Sequence, residues 1–209
     1  MKIIPPTFEI LGNPNGAKML RSIERAGRTC YKSEDLITDD SAAAFVRRIL
    51  KRGHESVIEH ATLSVKIICD RGVTHEIVRH RLASYSQEST RYCNYAKDKF
   101  GNELTFIRPF FWAEDDAKYA LWCTTMQGIE DAYMKMLELG AAPEEARSIL
   151  PNSLKTEIIV TMNLRSWRHF FRLRTDKASH PQMREVARPL LEAFKALLPV
   201  LFDDIQYSD

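Results

Sequence analysis

The sequence has 209 residues, 44% hydrophobic and 28% charged, and its net charge at pH 7 is only +2. This length predicts one domain with a sizeable core, and the small net charge gives no overall basic field that would favour a nucleic-acid partner. The four cysteines include no CxxC pair, which argues against a zinc site and a disulfide framework. We expect a soluble, cytoplasmic protein, because no apolar run approaches the ~20 residues of a membrane helix and the N-terminal residues do not resemble a signal peptide.

The first half of the sequence predicts helices and one strand. A helix is expected over 13–27, with a glycine as its stop, and a second over about 40–53, where apolar residues recur at helical spacing. Apolar and polar side chains alternate over 62–69, which predicts a half-buried strand. A short helix over 73–79 follows. These last two elements would present the next residues as a loop, a common position for binding residues.

The second half is richer in helix. The pattern predicts, in order, a long helix over about 113–139, a helix from Pro143, a strand over 156–162, a helix over 166–174 and a last helix from Pro181. Pro189 lies inside the last helix and is expected to kink it. Because helices outnumber strands, we predict an α+β fold. It would be one domain over 1–209, with a central, mostly antiparallel sheet flanked by helices, including long helices in the C-terminal half.

Residues 79–92 are the least core-like part of the sequence. They are Arg-His-Arg-Leu-Ala-Ser-Tyr-Ser-Gln-Glu-Ser-Thr-Arg-Tyr, and only Leu82 and Ala83 are aliphatic. No helix or strand here would have an apolar face to bury. Three guanidinium forks, several hydroxyls and a carboxylate suit a ligand that carries phosphate and polar ring edges. Composition alone leaves a solvated, charged surface loop equally open.

Two other hypotheses compete at this point. His54 and His60 lie next to acidic residues but six positions apart, whereas two zinc histidines on one helix face are about four apart, so we expect no metal site. An arginine-rich module that binds RNA or a nucleotide without chemistry would use aromatics near 110–112 and 167–171 for stacking, although their spacing fits core packing better. The sequence has no GxGxxG or GxxxxGK[ST] motif for a phosphate-binding loop.

The spacing Arg79-His80-Arg81, seven residues, then Ser89 is similar to the signature motif of the flavin-dependent thymidylate synthases. The resemblance extends over roughly 26–185, which is most of the chain. The further matches, in the family's order, are Gly53-His54-Glu55 with Glu59-His60, Arg91 with Tyr92, Ala146-Arg147 with Leu150-Pro151-Asn152, Asn163, Arg165-Ser166, and Arg174. On these separate matches the chain is identified as a member of this family.

The resemblance implies a methyltransferase that makes dTMP from dUMP. The methylene would come from methylenetetrahydrofolate, and the reducing equivalents from NADPH through bound FAD. Such enzymes are homotetramers whose active sites lie where subunits meet. They have no obligatory cysteine nucleophile, and no cysteine here lies in a recognisable nucleophile motif, so we assign none to catalysis.

The same resemblance implies roles for individual residues. Arg174 is the expected catalytic residue, because in the family it faces the uracil ring and favours loss of the imide proton, and a fixed cation stabilises the developing anion. The expected FAD contacts are Ser56, Arg79, His80, Arg81, Gln87, Asn163, Arg165 and His169. The expected dUMP contacts are Glu76, Arg79, Gln87, Glu88, Ser89, Thr90, Arg91, Arg147 from a neighbouring subunit, and Arg174. Further candidates for folate or flavin contact are His54, Tyr92, Cys30 and His180.

Some positions depart from the family's pattern. Glu76 stands where some members have glutamine, and Gln87 where some have glutamate. This exchange could keep one set of hydrogen-bond partners with the donor and acceptor roles reassigned. Cys30 replaces a serine that can contact flavin, and His169 replaces an asparagine. The spacing before His180 is longer than in the family.

Overall fold

The computed structural model describes residues 1–208, and every side chain among them but that of Lys99. The strands are β1 (Lys2–Ile4), β2 (Thr7–Ile10), β3 (Thr62–Asp70), β4 (Ser84–Gln87), β5 (Thr105–Ile107) and β6 (Lys155–Asn163). The helices are α1 (Gly16–Thr29), α2 (Ser41–Lys51), α3 (Arg71–Ile77), α4 (Ala117–Glu138), α5 (Pro143–Ala146), α6 (Leu164–Arg174), α7 (Pro181–Leu197) and α8 (Pro199–Phe202). Short 3-10 turns lie at Glu34–Leu36, Glu55–His60, Asp98–Phe100 and Arg147–Ile149.

The strands of the described chain form two sheets. The larger has the strand order β2-β3-β6-β4, and the smaller pairs β1 with β5 in parallel, with Lys2 opposite Thr105. Along β3 and β6, buried side chains alternate with less buried ones, as their period-2 patterns predict. The predicted α+β class, with an antiparallel sheet flanked by helices, is confirmed.

The described chain divides into two compact units. Unit 1 comprises Met1–Thr7, Ile67–Arg79 and Ser86–Ile158. Unit 2 comprises Phe8–Lys66, His80–Tyr85 and the described residues from Ile159 onward. Most boundaries between these ranges fall within strands. That the whole sequence forms one domain stays a prediction.

The core of unit 2 is built around the aromatic face of α6, which the sequence predicted to be buried. Trp167 and Phe171 of this helix are fully buried and stack with ring centroids 5.7 Å apart, and both pack against Phe194 of α7. The Trp167 indole N–H donates a hydrogen bond of 3.0 Å to the Leu63 carbonyl of β3. These contacts fix the rotation of α6 about its axis, and with it the direction of the predicted site residues that this helix carries.

Unit 1 has its own apolar cluster. Phe106 of β5, Tyr133 of α4 and Leu154 are buried in it together with Tyr95. Helix α4 buries few side chains for its length, and those described as buried are Met126, Glu130 and Tyr133. Of the aromatic residues before α4, Tyr95 and Phe106 are part of the core of this unit, whereas Phe110 and Phe111 are exposed.

The first helix differs from its prediction. It begins after Asn15, whose side-chain oxygen accepts a hydrogen bond from the Lys18 backbone N–H at 2.9 Å, and it runs past Gly27 to Thr29. Gly27 does not stop the helix. It lies inside α1, on the side that faces α2. A Cβ atom placed on Gly27 would lie 2.5 Å from the ring of Phe45. The glycine therefore allows close packing of two helices.

Side chains that cap helices explain other shifted boundaries. Asp70 accepts a hydrogen bond from the Val73 N–H at 2.7 Å, so α3 begins directly after Asp70. Asn163 accepts one from the Ser166 N–H at 2.8 Å, so α6 begins directly after Asn163, two residues before its predicted start. Strand β4 lies within the polar stretch in which no strand was predicted. Its side chains alternate between exposed and half-buried, so it has no apolar face to signal it.

The helices of the second half lie close to their predicted ranges. Helix α4 begins later than expected, after Asp116, whose side chain accepts a hydrogen bond from the Lys118 N–H at 2.8 Å. Helix α7 begins at Pro181, as predicted, and continues through Pro189. No helix in the described part of the chain is both long and apolar enough to cross a bilayer.

Candidate active site

The expected site residues fall into two sets that differ by unit. Unit 1 contains most of those expected at the nucleotide: Glu76, Arg79, Gln87, Glu88, Ser89, Thr90, Arg91 and Arg147, with Tyr92. Unit 2 contains most of those expected at the flavin: Cys30, His54, Ser56, His80, Arg81, Asn163, Arg165, His169 and His180, with the expected catalytic Arg174.

In unit 1, local hydrogen bonds hold the turn that follows β4. The Glu88 N–H donates to the Glu157 carbonyl of β6 at 2.8 Å. The hydroxyl of Ser89 accepts from the Arg91 N–H at 3.3 Å. Thr90 is buried, whereas the Arg91 side chain is exposed. The backbone of the turn is thus defined by these bonds, and it presents an arginine fork to solvent.

The Glu88 side chain is engaged inside unit 1. Its carboxylate accepts hydrogen bonds from the Tyr95 hydroxyl at 2.8 Å and from Lys155 Nζ at 3.0 Å, and Lys155 also donates to Glu157 at 2.6 Å. Burial lowers the pKa of Lys155, but its hydrogen bonds to the two carboxylates outweigh burial and leave that pKa raised. Burial and Glu88 raise the pKa of Tyr95. A dUMP contact through the Glu88 carboxylate would have to use the lone pairs that these two partners leave free, or displace one of them.

The side chain of Gln87 is held by two hydroxyl groups. Its Nε2 atom donates to Thr74 Oγ1 at 3.0 Å and to Thr156 Oγ1 at 3.3 Å. Both threonines are buried, one on α3 and the other on β6. The Gln87 carboxamide therefore has a defined orientation at the end of β4.

Exposed arginines are the main source of positive charge among the candidates. Arg79, Arg81 and Arg147 are exposed, and none of them pairs with an acidic side chain among the described residues. Arg91 Nε lies 2.9 Å from Glu144, but the two side chains are 57% and 52% exposed, and such surface pairs are weak. These guanidinium forks are available to ligands that carry phosphate.

In unit 2, Arg174 is the last residue of α6, and its Nε donates a hydrogen bond to His80 Nε2 at 2.9 Å. The His80 ring packs against Phe170 with a centroid distance of 5.0 Å and lies 5.8 Å from the ring of His169. The backbone carbonyl of His80 accepts a hydrogen bond from the Tyr85 hydroxyl. The guanidinium of Arg174 is therefore oriented by an imidazole that is itself held in place.

This geometry sets the protonation state of His80. A ring nitrogen that accepts from a guanidinium carries no proton, so His80 is neutral and its proton is on Nδ1. Burial, the positive charge of Arg174 and nearby His169 together lower the pKa of His80 from 6.5 to about 4. The Arg174–His80 hydrogen bond is therefore stable throughout the neutral pH range.

Three other flavin candidates in unit 2 have partners in the fold. Arg165 lies 2.6 Å from Glu59, and this hydrogen bond raises the pKa of the guanidinium. The Asn163 side-chain oxygen caps α6, so a flavin contact would fall to its amide nitrogen. His180 Nδ1 accepts from the Gln182 N–H at 3.3 Å at the start of α7. Each of these side chains has a local structural role besides its expected one.

The remaining candidates lie at the surface. Cys30, at the end of α1, and Ser56, in the 3-10 turn before β3, are open to solvent. Tyr92 is 76% exposed and lies under the Arg91 guanidinium, 5.3 Å from ring centroid to the guanidinium carbon. His54 and His60 are also exposed, and no group of three or more potential metal ligands occurs among the described residues.

Comparison with known proteins identifies the family. A family model described as "Thymidylate synthase complementing protein" matches residues 16–200. A flavin-dependent thymidylate synthase from Pyrococcus furiosus is 41% identical over 167 residues, which cover 79% of this chain and 68% of the relative. One from Geobacter sulfurreducens is 34% identical over 190 residues, which cover 88% of this chain and 80% of the relative. The chain belongs to the flavin-dependent thymidylate synthase family.

Solved structures agree with this fold. The UMP/dUMP methylase PolB from Streptomyces cacaoi, bound with 5-Br UMP, gives a TM-score of 0.76 at 21% identity and covers 97% of this chain and 95% of its own. Its structure with 5-Br dUMP also gives 0.76, at 23% identity. At these identities the likeness shows the fold alone. The family predicted from the Arg-His-Arg motif is thus confirmed, whereas the roles of individual residues stay predictions.

The donor groups of unit 2 fit the flavin that a synthase of this family requires. Arg81 is exposed and pairs with no acidic side chain among the described residues, so its fork can bind a pyrophosphate without first losing a partner. The Ser56 hydroxyl is exposed and competent to donate to a phosphate oxygen. The exposed His169 ring, next to neutral His80, offers an aromatic and hydrogen-bonding surface. Arg165 would contact the cofactor through the guanidinium N–H groups that Glu59 leaves free, or exchange Glu59 for it.

The structure also reveals partners that sequence analysis of this synthase missed. Thr74 and Thr156 hold Gln87, Lys155 holds Glu88, and Tyr85 holds the backbone of His80. Only Thr156 had a signal in the sequence. It occupies a position in phase with the apolar residues of its strand, which predicts a buried hydroxyl. Thr74 and Lys155 became visible as partners only in the folded structure, and Tyr85, although only five residues from His80, gave no pattern that predicts its contact.

Proposed function

We propose that the chain catalyses the reductive methylation of dUMP to dTMP, with methylenetetrahydrofolate as the carbon donor and NADPH as the reductant through bound FAD. The observation that carries this proposal is the family match over residues 16–200. It is supported by relatives 34–41% identical that are named flavin-dependent thymidylate synthases. The UMP/dUMP methylase structures of the same fold are in keeping with a pyrimidine monophosphate as substrate.

Arg174 is the proposed catalytic residue. A positive guanidinium next to the uracil ring favours loss of the imide proton, because it stabilises the negative charge that develops. The hydrogen bond to His80 supports this role, since it orients the guanidinium before the substrate arrives. The ring carbon then becomes able to accept the one-carbon unit. Bound FAD, once reduced by NADPH, would supply the hydride that completes the reduction.

No cysteine is needed in this proposal. Burial raises the pKa of Cys69, so this thiol is a poor nucleophile in its native environment. A thiolate adduct would create negative charge on the uracil ring. In this proposal the negative charge arises from loss of the imide proton, and the cation of Arg174 stabilises it. The expected absence of an obligatory cysteine nucleophile remains part of the proposal.

The proposed grip on the dUMP phosphate is made by Arg91 and Arg147, with the hydroxyl of Ser89. A fork of donors suits a dianionic phosphate better than a lysine point charge. Arg91 would exchange Glu144 for the phosphate, and the high exposure of both side chains makes this exchange inexpensive. Glu76, Arg79 and Gln87 would contact the remainder of the nucleotide.

The proposed assembly is a homotetramer in which Arg147 acts at the active site of a neighbouring subunit. Its exposure and its lack of an acidic partner among the described residues support a role outside its own subunit. A cytoplasmic location is likewise proposed, as for a synthase that uses cellular pools of folate and NADPH.

An absorption spectrum and an omission assay test this function. The purified protein should show flavin bands and release FAD on denaturation, and the apoprotein should regain these bands when FAD is added. Formation of dTMP from dUMP should fall to background when either methylenetetrahydrofolate or NADPH is omitted. A protein that takes up no FAD and binds RNA with strongly salt-dependent affinity would instead support the RNA-binding hypothesis.

A further inference from the structure

The side chain of Gln87 is fixed by two buried hydroxyls on different elements of unit 1. Thr74 on α3 is 0% exposed and Thr156 on β6 is 1% exposed. The Gln87 Nε2 atom donates to both hydroxyl oxygens, at 3.0 Å and 3.3 Å. Buried polar groups are costly unless they are hydrogen-bonded, so this arrangement is a built feature of the unit.

The direction of the carboxamide follows from the bond that Thr74 makes on its other side. Its hydroxyl donates to the backbone carbonyl of Arg71 at 2.9 Å. A hydroxyl has one proton to donate, so Thr74 Oγ1 can only accept from Gln87. The group of Gln87 that faces Thr74 must therefore be the amide nitrogen. A flipped carboxamide would set its carbonyl oxygen against a hydroxyl oxygen with no proton between them.

This orientation limits what Gln87 can offer to a ligand. An amide nitrogen has two protons, and both are directed to the threonines. The remaining polar atom, Oε1, can only accept a hydrogen bond. A freely rotating glutamine would instead offer a donor or an acceptor with similar ease, and it would discriminate poorly between ligands.

We propose that Gln87 is a specificity-determining residue that accepts a hydrogen bond from the nucleotide, and that Thr74 and Thr156 are positioning residues that prevent it from acting as a donor. The inference rests on the proposed function, in which Gln87 lines the dUMP site. It deepens that function, because it states which ligand chemistry the site selects. A nucleotide that presents an acceptor to Oε1 is rejected, since neither atom of the pair then has a proton.

The nucleotide dUMP offers two donors that could meet this acceptor, the imide N3–H of the uracil ring and the 3′-hydroxyl of the sugar. Two analogues separate these sources. An N3-methyl dUMP lacks the imide donor, and a 2′,3′-dideoxy UMP lacks the hydroxyl. The analogue that lacks the relevant donor should lose affinity for the wild-type protein and lose no further affinity when Gln87 is replaced by alanine.

The experiment measures the dissociation constants of dUMP and both analogues with the FAD-loaded wild type and with Thr74→Val, Thr156→Val and Gln87→Ala. Thr74→Ser is the matched control, because it keeps the hydroxyl and should retain the wild-type preference. Valine keeps the shape of threonine but frees the Gln87 carboxamide. We expect each valine variant to weaken dUMP binding by about three- to tenfold, the worth of one hydrogen bond, and to reduce the preference for dUMP over the sensitive analogue.

Two results would overturn the inference and leave the proposed function intact. One is a folded Thr74→Val or Thr156→Val protein with unchanged affinities for all three ligands. The other is a Gln87→Ala protein that loses affinity for dUMP and both analogues by the same factor. If the wild-type holoenzyme did not bind dUMP at all, the proposed function and this inference would both fail. The use of two independent valine variants ensures a result if one of them does not fold.

Discussion

At the scale of single residues, the protonation state of His80 determines whether Arg174 keeps its orientation. The imidazole must be neutral to accept the hydrogen bond from Arg174 Nε at 2.9 Å. Burial is the largest cause of its lowered pKa, followed by the charge of Arg174 and by His169. A neutral acceptor beside a permanent cation leaves the whole positive charge on the guanidinium, which is the form that the proposed mechanism uses.

The first prediction concerns the titration of this ring. In an NMR titration of the folded protein, the His80 ring should titrate at a pH of about 4, well below the ordinary value of 6.5. The unfolded chain binds this proton more readily than the folded protein does. The contribution of His80 to stability is therefore full above pH 6.5 and is lost as the pH falls towards 4.

His80→Gln provides the control, because its side-chain oxygen can still accept from Arg174 but does not titrate. Between pH 6.5 and 4 its free energy of unfolding should fall less steeply than that of the wild type. A His80 resonance that titrates near 6.5 in the folded protein would contradict the hydrogen bond to Arg174.

At the scale of secondary-structure elements, the contact between α1 and α2 depends on a glycine. A Cβ atom on Gly27 would lie 2.5 and 2.6 Å from ring atoms of Phe45 and 3.0 Å from a Val57 methyl group. These neighbours are a packed ring and a branched side chain, so they cannot move aside freely. Gly128 in α4 provides the opposite case, because nothing lies within 4 Å of the corresponding position.

The second prediction follows from this difference. Gly27→Ala should lower the free energy of unfolding by about 1–3 kcal/mol through overpacking. Gly128→Ala should raise it by roughly 0.5–1 kcal/mol, because alanine loses less backbone entropy in a helix. Urea denaturation followed by circular dichroism measures both. Equal effects of the two substitutions would show that the α1–α2 contact is looser than described.

The helices α1 to α7 and the strands β3 and β6 were predictable from the sequence because their patterns are local, whereas β1, β2, β4, β5 and α8 were not predicted. The alternation over β3, the stripe of α2 and the proline at the start of α7 all give the correct type of structure. Helix starts were less predictable, because several residues near a helix start can be of a type that caps helices, and the sequence does not show which of them does so. At α6, for example, Asn163 and Ser166 could each have capped the helix, and the structure selects Asn163.

The candidate site was predictable only in part. The family motif identified Arg174, Gln87 and the arginines, but no local pattern showed that Gln87 would meet Thr74 and Thr156. Such contacts depend on the placement of α3 and β4 next to β6, which is distant from both in sequence. Strand β4 was missed for a related reason, since a strand that buries no apolar face has no periodic signal.

At the scale of the whole molecule, the third prediction tests whether active sites are shared between subunits. Arg147→Ala and Arg174→Ala proteins should each be nearly inactive. If Arg147 acts at a neighbouring subunit's site, hybrid tetramers of the two variants contain some sites with both arginines intact. Co-expression with different affinity tags and a dTMP assay would measure this.

The hybrids should be several-fold more active than either parent variant. Hybrids no more active than the parents would contradict the proposed sharing, because both arginines would then belong to the same chain at each site. Sedimentation of the wild type provides the accompanying control, since it should give a mass close to four times 24.1 kDa.

The most direct test of the proposed chemistry is the release of tritium from dUMP labelled at the ring carbon that is methylated. The assay compares wild type with Arg174→Ala, both loaded with FAD and supplied with methylenetetrahydrofolate and NADPH. We predict that Arg174→Ala retains its flavin spectrum but releases tritium at least about a hundredfold more slowly, as when one preorganised electrostatic group is removed from an active site. Release at the wild-type rate by the flavin-loaded variant would contradict the catalytic role of Arg174.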